Sequence, residues 1–222
     1  LGMLDNFPPA FKAAFGFNTE VFDSALGYYT FTFTYAALFG AIQAMNFGIG
    51  ILSKEERERT ADFLMTKPVS RPVVFASKTL CAIVLLIITN FVYTAVALTV
   101  VMSYSGTALD ISKFLLINAS LLFLQLVLFA IGLTISVMLK KIKSVLPVSL
   151  GLVFMFFAIS AFAVTSKDDK LRYLTPFQYF KVDNIVLGDG YETRFVVLAC
   201  VLFIFAMITA YGLYRRRDIH SV

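Results

Sequence analysis

Five long runs of apolar residues, none of which contains a charged side chain, dominate the chain. Each run holds about 20 residues or more, which lets a helix cross the roughly 30 Å of hydrocarbon in a bilayer. The runs are continuous rather than alternating, so the pattern predicts helices and excludes a transmembrane barrel. The predicted spans cover about residues 28–52, 79–103, 114–139, 145–165 and 195–214.

The composition agrees with a membrane protein. Hydrophobic residues make up 59% of the 222 residues, whereas a soluble domain usually contains about 45–50%. The length leaves room for a single transmembrane domain, residues 1–222, and for no second globular domain. We therefore predict an all-α, polytopic fold with five visible transmembrane helices.

The distribution of positive charge predicts the orientation of the spans. Segments 53–78, 140–144 and 215–222 hold 12 of the 19 Lys and Arg residues. Because cytoplasmic loops are enriched in Lys and Arg, we place these segments and the C-terminus in the cytoplasm, and the protein in the cell (plasma) membrane. The net charge of +5 is then explained by topology rather than by nucleic-acid binding. The external segments become 1–27, 104–113 and 166–194.

Since an external start without a signal peptide is uncommon, we expect one more span before residue 1 and six in the complete chain.

Residue types needed for catalysis or metal binding are sparse. Cys81 and Cys200 lie inside predicted spans and are expected to be small buried hydrophobic side chains. His220 is the single histidine, so no metal site is predicted. The sequence contains no P-loop pattern for ATP. The spans lack Asp, Glu, Lys, Arg and His, which argues against an ion-coupled transporter or an intramembrane protease. We therefore predict that the chain is not an enzyme and holds no cofactor.

The polar hairpin 53–78 contains a predicted amphipathic helix. Ser53 with Glu56 three residues later has the pattern of a capping box, so a helix is expected to begin there. Pro68 ends it near residue 66, and Pro72 lies in the first turn of the next helix, which leads into the second span. Apolar residues in the second half of the helix would face the cytosol and are typical of a docking surface. A solvated connector is the alternative interpretation.

Residues 56–71 read ERERTADFLMTKPVSR and are followed by Lys78. This run resembles the first cytoplasmic loop of the type-2 permease family of ATP-binding-cassette (ABC) exporters. That family has acidic residues, Gly-Thr, an apolar triplet, Pro, Val or Ile, Ser-Arg and then Gly-Lys. Arg59 and Ser77 stand where the family usually has glycine. The five-span pattern agrees over nearly the whole chain.

The resemblance implies a half-transporter. Two such permeases, identical or different, would pair, and two cytoplasmic ABC ATPase subunits would bind ATP and magnesium beneath them. The helix at residues 55–66 would be the coupling helix, seated in a cleft of the ATPase. The residues implied in coupling are Glu55, Glu56, Glu58, Thr60, Phe63, Leu64, Met65 and Arg71.

Neutral polar residues occur inside the spans. They are Gln43, Asn46, Asn90, Asn118 and Gln125. Asn118, Gln125 and Gly132 share one face of the third span at seven-residue spacing. One interpretation is hydrogen bonding between helices, with Gly132 permitting close approach. The other is that these side chains line a substrate path between two protomers.

The external segment 166–194 has clear boundaries. Pro176 after Thr175 predicts the start of a short helix, and Gly188 predicts its end. Its aromatic residues are expected to form a belt at the level of the lipid headgroups. These are Tyr173, Phe177, Tyr179 and Phe180. The segment is similar to the external re-entrant segment of the same permease family.

The preferred interpretation is the membrane subunit of an ATP-driven exporter. A non-transporting membrane anchor or assembly scaffold remains an alternative, because it could share every span. A channel-like pore is a third, although no charged ring or filter motif is present. The sequence does not identify the cargo, and the apolar interior slightly favours an amphiphile.

Overall fold

The computed structural model describes residues 25–58, 70–105, 109–139, 142–166 and 169–216. Within these ranges every regular element is a helix, and five helices are long and apolar enough to cross a membrane. The long helices are α1 (Ala25–Arg57), α2 (Arg71–Ser105), α3 (Ile111–Met138), α4 (Val145–Ser166) and α7 (Thr193–Arg216). Between α4 and α7 lie the short helices α5 (Asp169–Arg172) and α6 (Val182–Leu187), separated by a 3₁₀ turn at Pro176–Gln178. The predicted all-α fold with five spans is confirmed.

Helix α3 lies at the centre of the bundle. In the most apolar 18-residue stretch of α3, 61% of the residues are buried, whereas the corresponding stretches of α4 and α7 are each 17% buried. It packs chiefly against α1 and α7, while α1 also contacts α2 and α4. The outer faces of the peripheral helices are apolar, as Phe91 and Phe205 illustrate. Such faces suit the hydrocarbon of a bilayer, because lipid tails are as apolar as the side chains themselves.

Two glycines set the distance between α1 and α3. A Cβ atom on Gly48 would overlap the carbonyl oxygen of Phe129 and lie 2.9 Å from the nitrogen of Leu133. A Cβ on Gly132 would lie 3.0 Å from the carbonyl oxygen of Met45. The two backbones are therefore in direct contact, as small residues allow at helix interfaces in membranes. The predicted close approach at Gly132 is confirmed.

Helix α1 extends beyond the first predicted span, which was expected to end near residue 52. Helix α1 continues through Ser53 to Arg57, and the Ser53 hydroxyl donates a hydrogen bond of 2.7 Å to the carbonyl oxygen of Ile49. The predicted helix start at Ser53 is therefore wrong. A serine inside a helix can satisfy its hydroxyl on the preceding turn, so the residue pattern alone does not define an end.

The starts of α2 and α3 illustrate two further local signals. Helix α2 begins at Arg71 with Pro72 in its first turn, as predicted. Helix α3 begins at Ile111, before the predicted residue 114, because Asp110 caps it. The Asp110 carboxylate accepts a hydrogen bond of 3.1 Å from the backbone N–H of Lys113. An acidic N-cap stabilises the free N–H groups of a first turn.

The segment between α4 and α7 folds back onto the bundle. The 3₁₀ turn begins at Pro176, and Gly188, at φ 101°, ends α6, so helical structure starts and stops at the predicted residues. The single helix expected between them is wrong, because the chain forms the 3₁₀ turn and then α6 as separate elements. Tyr179 is only 2% exposed and Phe180 only 6%, and the Tyr179 ring stacks on that of Phe195. The predicted headgroup belt is wrong for these two rings, because they pack inside the protein.

Candidate functional site

A buried polar network joins three spans at the level of Gln125. The Gln125 amide nitrogen Nε2 donates to the carbonyl oxygen of Gly40 at 3.1 Å and to Oε1 of Gln43 at 3.3 Å. Its Oε1 accepts a hydrogen bond from Nδ2 of Asn90, which also donates to the carbonyl oxygen of Leu86 at 2.8 Å. Gln125 therefore links α1, α2 and α3 by side-chain hydrogen bonds.

A second polar group lies further along the same helices. The Tyr29 hydroxyl donates to Oδ1 of Asn118 at 2.8 Å and lies 3.3 Å from the Tyr93 hydroxyl. Asn118 in turn donates through Nδ2 to the carbonyl oxygen of Phe114. Tyr29 and Tyr93 were not singled out by the sequence pattern, because tyrosine is an ordinary residue in a span. Their pairing depends on the rotation of each helix about its axis.

Three of the five polar residues predicted as substrate contacts come together in the Gln125 network. These three are Gln43, Asn90 and Gln125. Asn118 belongs to the second group, and Asn46 lies apart from both networks in a groove near one end of α1. Hydrogen bonding between the spans supports the interpretation that these residues hold the helices together. A role in a substrate path stays a prediction.

One end of the bundle, called here the basic end, carries the flanks of hairpin 53–78. Lys78 on α2 donates through Nζ to the carbonyl oxygen of Ile51 on α1 at 2.9 Å. Arg71 donates through Nη1 to the carbonyl oxygen of Arg215 at 3.5 Å. The ring of Phe75 packs 5.5 Å from that of Tyr214. These contacts join the end of α1, the start of α2 and the end of α7.

The residues implied in ATPase coupling fall into three groups. Glu55 and Glu56 lie in the last turn of α1, and Glu58 follows it as an exposed turn residue. Arg71 is the first residue of α2. The rest, and with them most of the predicted coupling helix at 55–66, lie outside the described residues. That group comprises Thr60, Phe63, Leu64 and Met65.

A groove of about 560 Å³ opens at the basic end between α1, α2 and the start of α4. Lys54 and Arg57 line it from the end of α1, and Lys143 lines it from the turn before α4. Asn46 and Ser144 add neutral polar groups. The apolar wall is formed chiefly by Phe47, Ile51, Leu85, Val145 and Leu146. We refer to this surface as the basic groove.

The opposite end carries an ion cluster centred on Glu192. Its Oε1 accepts a hydrogen bond from Nη2 of the buried Arg172, and its Oε2 accepts one of 2.7 Å from Nη2 of Arg194. Asn184 on α6 also donates to Oε1, at 3.1 Å. Partial burial alone would raise the pKa of the Glu192 carboxyl, but the two guanidinium groups outweigh it and hold that pKa below its usual value. Arg172 lies over the Phe195 ring at 4.2 Å, so the cluster fastens the α4–α7 segment to α7.

The two cysteines are both exposed on helix faces, so their predicted burial is wrong. Each instead lies on an exposed face of a long apolar helix. Across the described part of the chain, no group of three His, Cys, Asp or Glu residues is arranged to hold a metal ion.

The chain matches one protein family over almost its whole length. That family is described as ABC-2 family transporter protein, and the match covers residues 5–219. No curated protein and no solved structure matches the chain. The family comprises membrane subunits of ABC transporters, which agrees with the five apolar helices and with the resemblance seen in hairpin 53–78. The protein is therefore a multi-pass membrane subunit that belongs to the ABC-2 transporter family.

Proposed function

We propose that this chain is the transmembrane subunit of an ATP-driven exporter. Two permease subunits would form the translocation path, and two cytoplasmic ABC ATPase subunits would bind ATP and magnesium. Membership of the ABC-2 family supports the ATPase partnership. The lack of a P-loop pattern in the sequence supports placing nucleotide on a separate chain.

The observation that carries the proposal is the linkage of α1 and α2 at the basic end. The hairpin leaves α1 after Arg57 and returns at Arg71, so a protein that binds the hairpin acts on both helices. The Lys78 hydrogen bond to the carbonyl of Ile51 ties the two helices to each other. A displacement of the hairpin would therefore move α1 and α2 together.

The glycine contact extends this linkage to the centre of the bundle. Because Gly48 and Gly132 bring the backbones of α1 and α3 into contact, α1 cannot tilt without moving or separating from α3. Closure of a pair of ATPase subunits could thus alter the packing around the central helix. Alternating access by movement of whole helices needs this kind of mechanical continuity.

The basic end would face the cytoplasm. The described cations there include Lys54, Arg57, Lys143, Arg215 and Arg216. An excess of Lys and Arg near span ends favours the cytoplasmic side. This orientation would put the hairpin within reach of cytoplasmic ATPase subunits, the C-terminus in the cytoplasm, and the Glu192 cluster on the external side of the cell membrane.

The experiment that tests the proposal is co-purification of the chain with the ABC ATPase encoded nearest to its gene. We expect Phe63→Asp with Leu64→Asp to abolish co-purification and to uncouple ATP hydrolysis from the permease. The reason is that two charges would replace the apolar anchor implied for the coupling helix. Leu174→Asp with Leu187→Asp is the matched control, because both leucines are exposed at the opposite end.

The control variant should keep both the complex and the coupled hydrolysis. If the Phe63 and Leu64 variant also retains them, the coupling role of the hairpin is wrong. A membrane anchor or scaffold predicts no ATPase in the complex even for the unchanged chain. That outcome would favour the scaffold over the exporter.

A further inference from the structure

The basic groove combines two surfaces of opposite character. Lys54, Arg57 and Lys143 gather positive charge at its mouth, whereas Leu85 and Leu146 are apolar and about half exposed along its side. Within the described ranges none of the three cations forms an ion pair. The groove therefore offers positive charge and open apolar surface to the same ligand.

The position of the groove restricts what can reach it. It lies beside the end of α1, the first half of α2 and the first turn of α4, at one end of three candidate spans. Its volume of about 560 Å³ falls within the roughly 300–1,000 Å³ of small-molecule sites. Basic pockets between spans suit anionic lipid headgroups, because a phosphate meets the cations while an acyl chain follows the helices.

We propose that the basic groove binds an anionic phospholipid of the membrane leaflet at the basic end. The lipid phosphate would lie between Lys54, Arg57 and Lys143, within reach of the Ser144 hydroxyl as a hydrogen-bond donor. One acyl chain would lie along the apolar wall. This wall distinguishes the site from one for free phosphate, since inorganic phosphate gains nothing from apolar surface. The proposal does not depend on the direction of transport or on an ATPase partner.

The test uses the whole chain in nanodiscs of neutral phosphatidylcholine containing a small fraction of spin-labelled phosphatidylglycerol. The measured quantity is the fraction of labelled lipid immobilised by the protein. Lys54→Gln with Lys143→Gln removes two cations from the groove. Each of these cations would contact the lipid phosphate directly, and a hydrogen bond to a charged group contributes at least about 1.5 kcal/mol. We therefore expect the relative affinity for phosphatidylglycerol to fall by about 100-fold or more.

The matched control is Arg215→Gln with Arg216→Gln, which removes the same charge from the same end but outside the groove residues. It should leave the immobilised fraction within about twofold of the unchanged chain, since these charges do not line the groove. Equal losses in both variants would show a general surface potential and would overturn the proposal. Helix content, measured by circular dichroism, checks that both variants are folded.

A second variant tests the apolar wall without changing any charge. A Cβ on Gly50 would lie 3.7 Å from a methyl group of Val145, so a larger side chain at this position enters the groove without a backbone clash. Gly50→Leu should therefore displace the labelled lipid as strongly as the loss of the cations. Unchanged immobilisation in Gly50→Leu, or displacement of the lipid by millimolar inorganic phosphate, would contradict a lipid site. Cross-linking between two copies through the groove would likewise contradict it and identify a protomer interface.

Discussion

Gly48→Ala should destabilise the bundle although it adds only one methyl group. The new Cβ would overlap the carbonyl oxygen of Phe129 and lie 3.0 Å from the Cα atom of Gly132. Both neighbours are backbone atoms, so no side chain can rotate away to make room. The helices α1 and α3 must separate, and the contacts along their interface weaken together.

The magnitude follows from two opposing terms. Overpacking a core by a methyl group costs about 1–3 kcal/mol, and rigid backbone neighbours favour a value of about 3 kcal/mol. Alanine is better than glycine in a helix by about 1 kcal/mol, which leaves a net loss of about 2 kcal/mol. Gly151→Ala on α4 keeps only the favourable term, because its Cβ would meet nothing within 4 Å. The two variants should therefore differ by about 3 kcal/mol.

The assay is thermal unfolding in a mild detergent, followed by the helix signal in circular dichroism. For a chain of this size 1 kcal/mol corresponds to about 2–4 °C, so the midpoint for Gly48→Ala should lie roughly 6–12 °C below that for Gly151→Ala. Gly132→Ala should fall between them, because its closest contact is 3.0 Å and involves no overlap. Equal midpoints for Gly48→Ala and Gly151→Ala would refute the backbone contact.

Three further predictions concern the polar groups and the orientation. Gln125→Leu and Asn90→Leu should each lower stability by about 0.6–1.7 kcal/mol per lost hydrogen bond, and a double-mutant cycle should be non-additive because the two side chains share a bond. The pKa of Glu192 is lower in the folded chain than in the unfolded chain. Its ion cluster therefore stabilises the fold at pH values above the usual glutamate pKa, and this stabilisation is lost as the pH falls through the lowered pKa. Acid-induced loosening of the α4–α7 segment should therefore be weaker in Glu192→Gln, and an identical pH profile in both chains would contradict the cluster. In intact cells carrying a chain freed of its native cysteines, an impermeant maleimide should label Asp189→Cys but not Glu58→Cys; the reverse pattern would invert the proposed topology.

The spans could be predicted because each depends only on the hydrophobicity of consecutive residues. Uninterrupted apolar runs of sufficient length specify transmembrane helices without reference to any partner. The ends were less certain, as Ser53 shows: the same Ser and Glu spacing that caps a helix also fits inside a continuing one. At Gly188 the prediction succeeded, since only a residue tolerant of positive φ suits the end of α6.

The sequence identified the polar residues inside the spans but not which of them form hydrogen bonds with each other. Asn90 and Gln125 stand out in apolar runs, yet their contact depends on how α2 and α3 rotate about their axes. The participation of Tyr29 and the grouping of Lys143 with Lys54 have the same cause, because sequence spacing carries no information across separate helices. The coupling role of residues 55–66 rests on the hairpin sequence and remains a prediction.

The length of α1 has a consequence for the height at which the hairpin is held. At 1.5 Å per residue, its 33 residues extend for about 50 Å, whereas the hydrocarbon layer is about 30 Å thick. Helix α2, with 35 residues, overshoots in the same way. A helix longer than the hydrocarbon layer tilts within it or projects beyond it, so the depth of the loop between α1 and α2 depends on the tilt of both helices as well as on their length. A thinner or thicker bilayer would change that tilt, and the position of a protein bound to the loop would change with it.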